Sequence, residues 1–173
     1  MTDQPIAEPK HRPSIDKIIP NHERLCKIVH GERAAGKSVV MCNGCFDLLH
    51  VGHVRYLEAA KLEGDVLVVA VNSDESFETY KKKRPINHLD ERMELLAALG
   101  AVDYVTFFDE PKVDGLLLMI RPDVHAKGTD YTPDTVPERE IVKSYGGRVA
   151  ICGDPKDHST TEIVNKIEQG REE

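Results

Sequence analysis

Six consecutive apolar residues, Val66-Leu67-Val68-Val69-Ala70-Val71, stand between Asp65 and Asn72, and no other feature limits the fold as strongly. The run is far too short to cross a bilayer, which takes about 20 apolar residues in a helix. As a strand it is apolar on both faces. Strands of that kind lie inside parallel sheets whose two faces are both covered by helices. Ser38-Val39-Val40-Met41-Cys42 has the same character.

Around these runs the periodicity switches to that of helices. Asn21 is placed to cap a helix over 22–35, with Leu25, Ile28 and Val29 on one face and Gly36 as its stop. Helical spacing returns over 51–61, 89–99, 113–120, 138–145 and 160–169, and strand-like runs stand at 65–72, 102–107, 123–126 and 148–152. This alternation predicts a Rossmann-like doubly wound α/β domain, with a mainly parallel five-stranded sheet and helices on both faces. The 173 residues suffice for one such core. Residues 1–20 read as a flexible N-terminal tail, with Pro5, Pro9 and Pro13 among charges, and 21–170 as the domain.

Charge and cysteine content narrow the function classes. A net charge of −7 argues against a nucleic-acid partner, which requires a surplus of basic surface. A small anion needs only a few local cations. No signal-peptide pattern opens the chain and no run suits a membrane, so a cytoplasmic location is expected. The four cysteines (Cys26, Cys42, Cys45 and Cys152) then read as free thiols.

Three segments carry patterns with chemical meaning. Gly31-Glu32-Arg33-Ala34-Ala35-Gly36-Lys37-Ser38 matches the phosphate-binding G-x-x-x-x-G-K-[ST] pattern. That loop works when a strand precedes it and a helix follows, and here a helix runs in and a strand comes out. It reads as a helix end. Cys42-x-x-Cys45 with His50-x-x-His53 offers four zinc ligands, but only four residues separate the pairs. Zinc fingers usually place about a dozen or more there, and Cys42 falls inside an apolar strand.

The third segment, Asn43-Gly44-Cys45-Phe46-Asp47-Leu48-Leu49-His50-Val51-Gly52-His53, joins the first strand to the next helix. In open α/β sheets ligands bind at the carboxyl ends of strands. Amides at the helix start and the helix dipole favour an anion there, and Gly52 removes a side chain that would keep a phosphate away. His50 and His53 are spaced to meet on one side of the turn as donors.

These residues resemble the HxGH signature of the cytidylyltransferase-like nucleotidyltransferases. His158-Ser159-Thr160-Thr161-Glu162-Ile163 resembles that superfamily's C-terminal S-T-T-x-I motif, and Ala126-Lys127-Gly128-Thr129-Asp130-Tyr131 is similar to the V-K-G-G-D-Y segment of heptose-1-phosphate adenylyltransferases. The likeness extends from about residue 20 to 168, with Thr129 in place of a glycine.

The resemblance implies in-line attack by a sugar-phosphate oxygen on the α-phosphorus of a nucleoside triphosphate, ATP above others, with pyrophosphate leaving. Mg²⁺ would bridge phosphate oxygens, held by nucleotide and water rather than by a protein metal site. It names His50, His53 and Lys127 as the catalytic groups. Asn43, Gly44, Cys45, Phe46, Asp47, Gly52, Asp74, Lys83, Arg92, Gly128, Asp130, Ser159, Thr160 and Thr161 follow as nucleotide-binding positions. Asp47 would brace the turn through backbone amides, Arg92 would face the triphosphate, and Lys81 to Arg84 would form a lid. A homodimer is implied as well. The alternatives are a cytidylyltransferase for glycerol- or ethanolamine-phosphate, a non-catalytic nucleotide-binding module, and a P-loop kinase.

Overall fold

A computed structural model describes residues 13–82, 84–155 and 160–170. Helices and strands alternate along most of the chain: α1 (His22–Ala34), β1 (Val39–Gly44), α2 (Val51–Lys61), β2 (Val66–Asn72), α3 (Asp74–Lys81), α4 (Leu89–Ala97), β3 (Tyr104–Phe108), α5 (Asp114–Ile120), β4 (Val124–Gly128), α6 (Arg139–Ser144), β5 (Arg148–Cys152) and α7 (Thr160–Gln169). The five strands are all parallel, in the order β3-β2-β1-β4-β5. Among the described residues no helix is long and apolar enough to cross a membrane.

The two long apolar runs became the two central strands. Every residue of β2 is buried. In β1, Val40 and Cys42 pack into one core with Leu57, Leu96 and Ala97 from α2 and α4. Val39 and Met41 pack into the other, with Leu25, Val29, Leu117 and Val142 from α1, α5 and α6. The alternation follows from the two-residue period of a strand, and it places helices on both faces.

The order of winding reverses between β1 and β4, since β2 and β3 are laid down on one side of β1 and β4 and β5 on the other. The carboxyl ends of these two strands therefore splay apart and leave a crevice. Both run further than the sequence suggests. β1 continues through Asn43 and Gly44, and β4 through Lys127 and Gly128. Lys127 thus sits inside a strand, where parallel register fixes its direction, rather than on the loop after it.

Three other features differ from expectation. Residues 14–17, grouped with the flexible tail, form a 3₁₀ turn. Ile18 then bridges to Val105, and Ile19 is buried to 1% exposure. The segment docks on the β3 edge because Ile18 and Ile19 bring apolar area to it. Residues 74–81, where the sequence signals no helix, form α3, which takes in only Lys81 of the expected lid and is capped by Ser73, whose hydroxyl accepts from the Ser76 amide at 3.2 Å. The P-loop-like segment lies at the opposite end of the sheet from the crevice. There Gly36, at φ 81°, ends the turn after α1, Lys37 pairs with Glu32 at 2.7 Å, and Ser38 donates to Asp65.

Candidate functional site

The crevice opens into a cleft of about 850 Å³. One wall is the turn from β1 to α2, which contributes Asn43, Gly44, Cys45, Phe46, Asp47, His50, Gly52 and His53. The opposite wall is the end of β4 and the loop beyond it, with Lys127, Gly128 and Asp130. Thr160 and Thr161, at the start of α7, close the rim. Lys83 and Ser159 lie outside the described residues.

The turn is held in a demanding shape. Phe46 has φ 47°, in the left-handed region, which costs a bulky residue about 1–3 kcal/mol. Its ring is buried against the backbone of Gly44, where an added Cβ would stand 3.0 Å from a ring carbon. A side chain at 44 would make the Phe46 ring give way by a few tenths of an ångström. Asp47, 5% exposed, locks the turn from behind. Its carboxylate accepts the amides of Ile86 at 2.8 Å and Asn87 at 3.0 Å, while the Asn87 side chain donates to the Asp47 carbonyl at 2.8 Å.

His50 is the N-cap of α2 and His53 lies in its first turn. Their ring centroids are 3.9 Å apart, and the His53 ring also packs 5.3 Å from that of Phe46. Burial, and after it the neighbouring His50 ring, push the His53 pKa down to about 4. His53 is therefore neutral near pH 7. The first amides of a helix have no intrahelical acceptor, so the start of α2 presents N–H groups and the positive end of its dipole beside both rings. This wall is suited to oxygen atoms bearing negative charge.

Arg92 and Asp74 occupy a different place from the one the resemblance suggests. Arg92 is fully buried, and its guanidinium points at the back of the turn. It donates to the Cys45 carbonyl at 2.6 Å, the Asn87 carbonyl at 3.1 Å and Asp74 Oδ1 at 2.7 Å. Asp74 also meets His88 Nδ1 at 3.1 Å. Burial alone would raise the Asp74 carboxyl, but the hydrogen bonds from Arg92 and His88 outweigh it and hold it below the usual carboxylate range. The pair braces the turn from outside the cleft.

Sequence reasoning passed over the partners of Lys127. Its ammonium donates to Asn43 Oδ1 at 3.2 Å and to Glu138 Oε1 at 3.3 Å. Glu138 is the residue before α6 and 8% exposed, and eleven positions of sequence separate it from Lys127. Read along the chain it is one more acidic helix start, and no local spacing reports the pairing. Tyr56 is another such residue. Its hydroxyl donates to the Ala126 carbonyl at 2.8 Å and ties α2 to β4 beneath the cleft.

Among the described residues no group of three or more His, Cys, Asp or Glu could hold a metal ion. Cys42 is buried in the core under α2, where burial pushes its thiol up to about 12, and Cys45 donates to Asn72 Oδ1 at 3.6 Å.

Comparison with known proteins follows the same lines. The chain is 46% identical over 159 residues to the bifunctional protein HldE of Trichlorobacter lovleyi, covering 91% of this chain and 32% of that protein. It is 49% identical to HldE of Geobacter sulfurreducens over 153 residues, 88% of this chain and 31% of the relative. The chain thus spans about a third of the length of the curated relatives it matches. Among solved structures, a lipopolysaccharide core biosynthesis protein from Thermoplasma volcanium superposes with a TM-score of 0.60 at 29% identity, over 70% of this chain and all of the other. A pantoate-beta-alanine ligase from Francisella tularensis shares the fold at 20% identity and a TM-score of 0.58, covering 88% of this chain and 77% of its own. The family model for cytidylyltransferase-like proteins matches residues 41–166. That stretch runs from the middle of β1 into α7 and takes in every element that walls the cleft, and the chain belongs to the cytidylyltransferase-like family.

Proposed function

We propose that this chain transfers the adenylyl group of ATP to the phosphate of a sugar 1-phosphate, a heptose 1-phosphate, releasing pyrophosphate and forming a nucleotide-activated sugar. The observation that carries the reading is the facing of two walls at the sheet's switch point. On one, His50, His53 and the α2 amides present donors; on the other stands the buried ammonium of Lys127. The similarity to HldE proteins over nearly the whole chain, and the resemblance of the residues around Lys127 to heptose enzymes, support the sugar as acceptor.

The reaction asks for positioning and charge neutralisation, and the cleft has no need of a protein nucleophile. The triphosphate enters as its Mg²⁺ complex, so the metal arrives with the substrate. A phosphate oxygen of the acceptor forms the new bond to the α-phosphorus, and the bond from that phosphorus to the pyrophosphate oxygen breaks in line with it. His50 and His53 donate to α- and β-phosphate oxygens as charge moves onto the leaving group. Lys127 sits across the cleft, where its charge offsets the repulsion between the acceptor phosphate and the α-phosphate. Thr160 and Thr161 offer hydroxyls and helix-start amides to the same anion. The reaction runs in the cytoplasm, and the working unit is a homodimer.

The test is a plate in which each nucleoside triphosphate is paired with heptose 1-phosphate, glycerol phosphate and ethanolamine phosphate, with Mg²⁺, and pyrophosphate is measured. ATP with heptose 1-phosphate should give the fastest release. A faster reaction of CTP with glycerol phosphate would replace the acceptor assignment, and no release from any pair would leave a nucleotide-binding module.

A further inference from the structure

An ammonium that is only 7% exposed, as Lys127 is, has lost most of its hydration, and the protein must supply substitutes. Three are present: Asn43 Oδ1 at 3.2 Å, Glu138 Oε1 at 3.3 Å and the Tyr131 ring, whose centroid lies 5.1 Å from Nζ. Glu138 makes this contact with its side chain turned in toward the sheet, while its carbonyl accepts the first hydrogen bond of α6 from Val142 at 2.9 Å.

The arrangement around Glu138 is costly. Its second oxygen, Oε2, is buried with no hydrogen-bond partner among the described residues. The nearest candidate, Nε2 of the fully buried His125, is 3.8 Å away, too far for a hydrogen bond. A buried ion pair is often no more stabilising than an apolar pair of the same volume, so core stability alone does not account for the Lys127–Glu138 pair, although removing Glu138 by itself would strand the ammonium. The charge at 138 also stands where it acts directly on the ammonium that faces the cleft.

We propose that Glu138 is the positioning residue for Lys127: it fixes the ammonium toward the cleft before substrate arrives and yields it to the incoming phosphate. This rests on the reading that Lys127 meets a reacting phosphate. The contacts have the strength such a handover needs. Both are longer than the roughly 2.8 Å of a strong charge-assisted bond, as a contact that gives way to a phosphate should be. A lysine carries three N–H donors and these two oxygens occupy two; for the third a ligand competes only with the weaker pull of the Tyr131 ring 5.1 Å away. Glu138 thus aims the charge, and its own negative charge opposes phosphate binding in the ground state. Neutralising it should loosen Lys127 and lower turnover while phosphate binding tightens.

A double-mutant cycle on the full chain tests this, with thermal melting to establish folding of each variant. Glu138→Gln should lower kcat at least about tenfold with the KM for sugar phosphate unchanged or reduced. In a Lys127→Ala background the same substitution should change kcat by less than about twofold. Glu138→Asp keeps the charge, drawn back by one methylene, and should lose less activity than Glu138→Gln. A full tenfold loss in the Lys127→Ala background, normal turnover in Glu138→Gln, or Glu138→Asp as slow as Glu138→Gln would each overturn the proposal. If the unaltered chain releases no pyrophosphate at all, the functional reading fails by itself. The cycle is then read by calorimetry with inorganic phosphate: Glu138→Gln should bind it more tightly, and only when Lys127 is present. Equal phosphate affinity in the two proteins would overturn the inference independently.

Discussion

The imidazole rings of His50 and His53 lie 3.9 Å apart, centroid to centroid, and inclined by 31°. One helical turn brings them together, because His50 is the cap of α2 and His53 is three residues further on. If both donate to phosphate oxygens in the transition state, replacing either with alanine should lower kcat by about a hundredfold, the usual cost of removing one preorganised donor. The melting temperature should change little, since both rings belong to the cleft wall. Folded variants with normal turnover would remove the pair from the chemistry.

The burial of His53 has a pH signature. Its folded value of about 4 lies below the ordinary 6.5, so between those values the unfolded chain takes up a proton that the folded chain refuses. Stability therefore falls as the pH is lowered from 6.5 toward 4. The melting temperature of the ligand-free protein should drop over that window, and less steeply in His53→Gln. Glu138, in contrast, is opposed by burial but held down to about 2 by the nearness of His125 and Lys127, so its contribution is lost only below the ordinary 4.5. Parallel melting curves for the wild type and His53→Gln from pH 7 to 4.5 would contradict the assignment.

Arg92 makes a structural prediction. Its substitution by methionine strands two backbone carbonyls and leaves Asp74 with His88 as side-chain partner, and should destabilise the protein by about 2–4 kcal/mol. Arg92→Lys should recover little, because an ammonium cannot reach three diverging oxygens as the guanidinium fork does. Chemical denaturation measures both. A loss below about 1 kcal/mol, or a selective loss of ATP affinity with stability intact, would return Arg92 to the triphosphate.

The P-loop-like segment predicts an absence of effect. Lys37 pairs with Glu32 at the far end of the sheet from the cleft, so Lys37→Ala should bind ATP as the wild type does in calorimetric titration. A large loss of affinity in folded protein would restore the P-loop.

What was legible in the sequence was whatever is written locally. The apolar runs at 38–42 and 65–72 declared buried parallel strands, the Asn21 cap and Gly36 stop bounded α1, and the histidine turn stood at a strand's carboxyl end. Asp47 was expected to accept backbone amides, and it accepts those of Ile86 and Asn87. Helix α3 escaped because its polar sequence runs into the basic stretch that ends in Arg84, and its burial depends on Ser76 and Phe77 meeting the sheet. The docking of Ile19 depends likewise on a β3 edge that exists only once the sheet is built.

Long-range pairing was the part that sequence did not carry. Arg92 sits four residues into a helix whose position along the chain says nothing of what its guanidinium will find, and the fold gave it Asp74, 18 residues earlier, and the Cys45 carbonyl. Lys127 was chosen by resemblance, and its hold on Asn43 and Glu138 comes from the register of β4 against β1 and from where α6 begins.

The central claim is that the cleft hands over the α-phosphoryl group together with its nucleoside. The direct measurement supplies the chain with heptose 1-phosphate, Mg²⁺ and ATP labelled in turn at the α- and the γ-phosphorus, and follows each label into the products. Adenylyl transfer puts α-label in the nucleotide-sugar and γ-label in pyrophosphate, in equal amounts. Label from the γ-phosphorus in the sugar, with ADP formed alongside, would make the chain a kinase and contradict it.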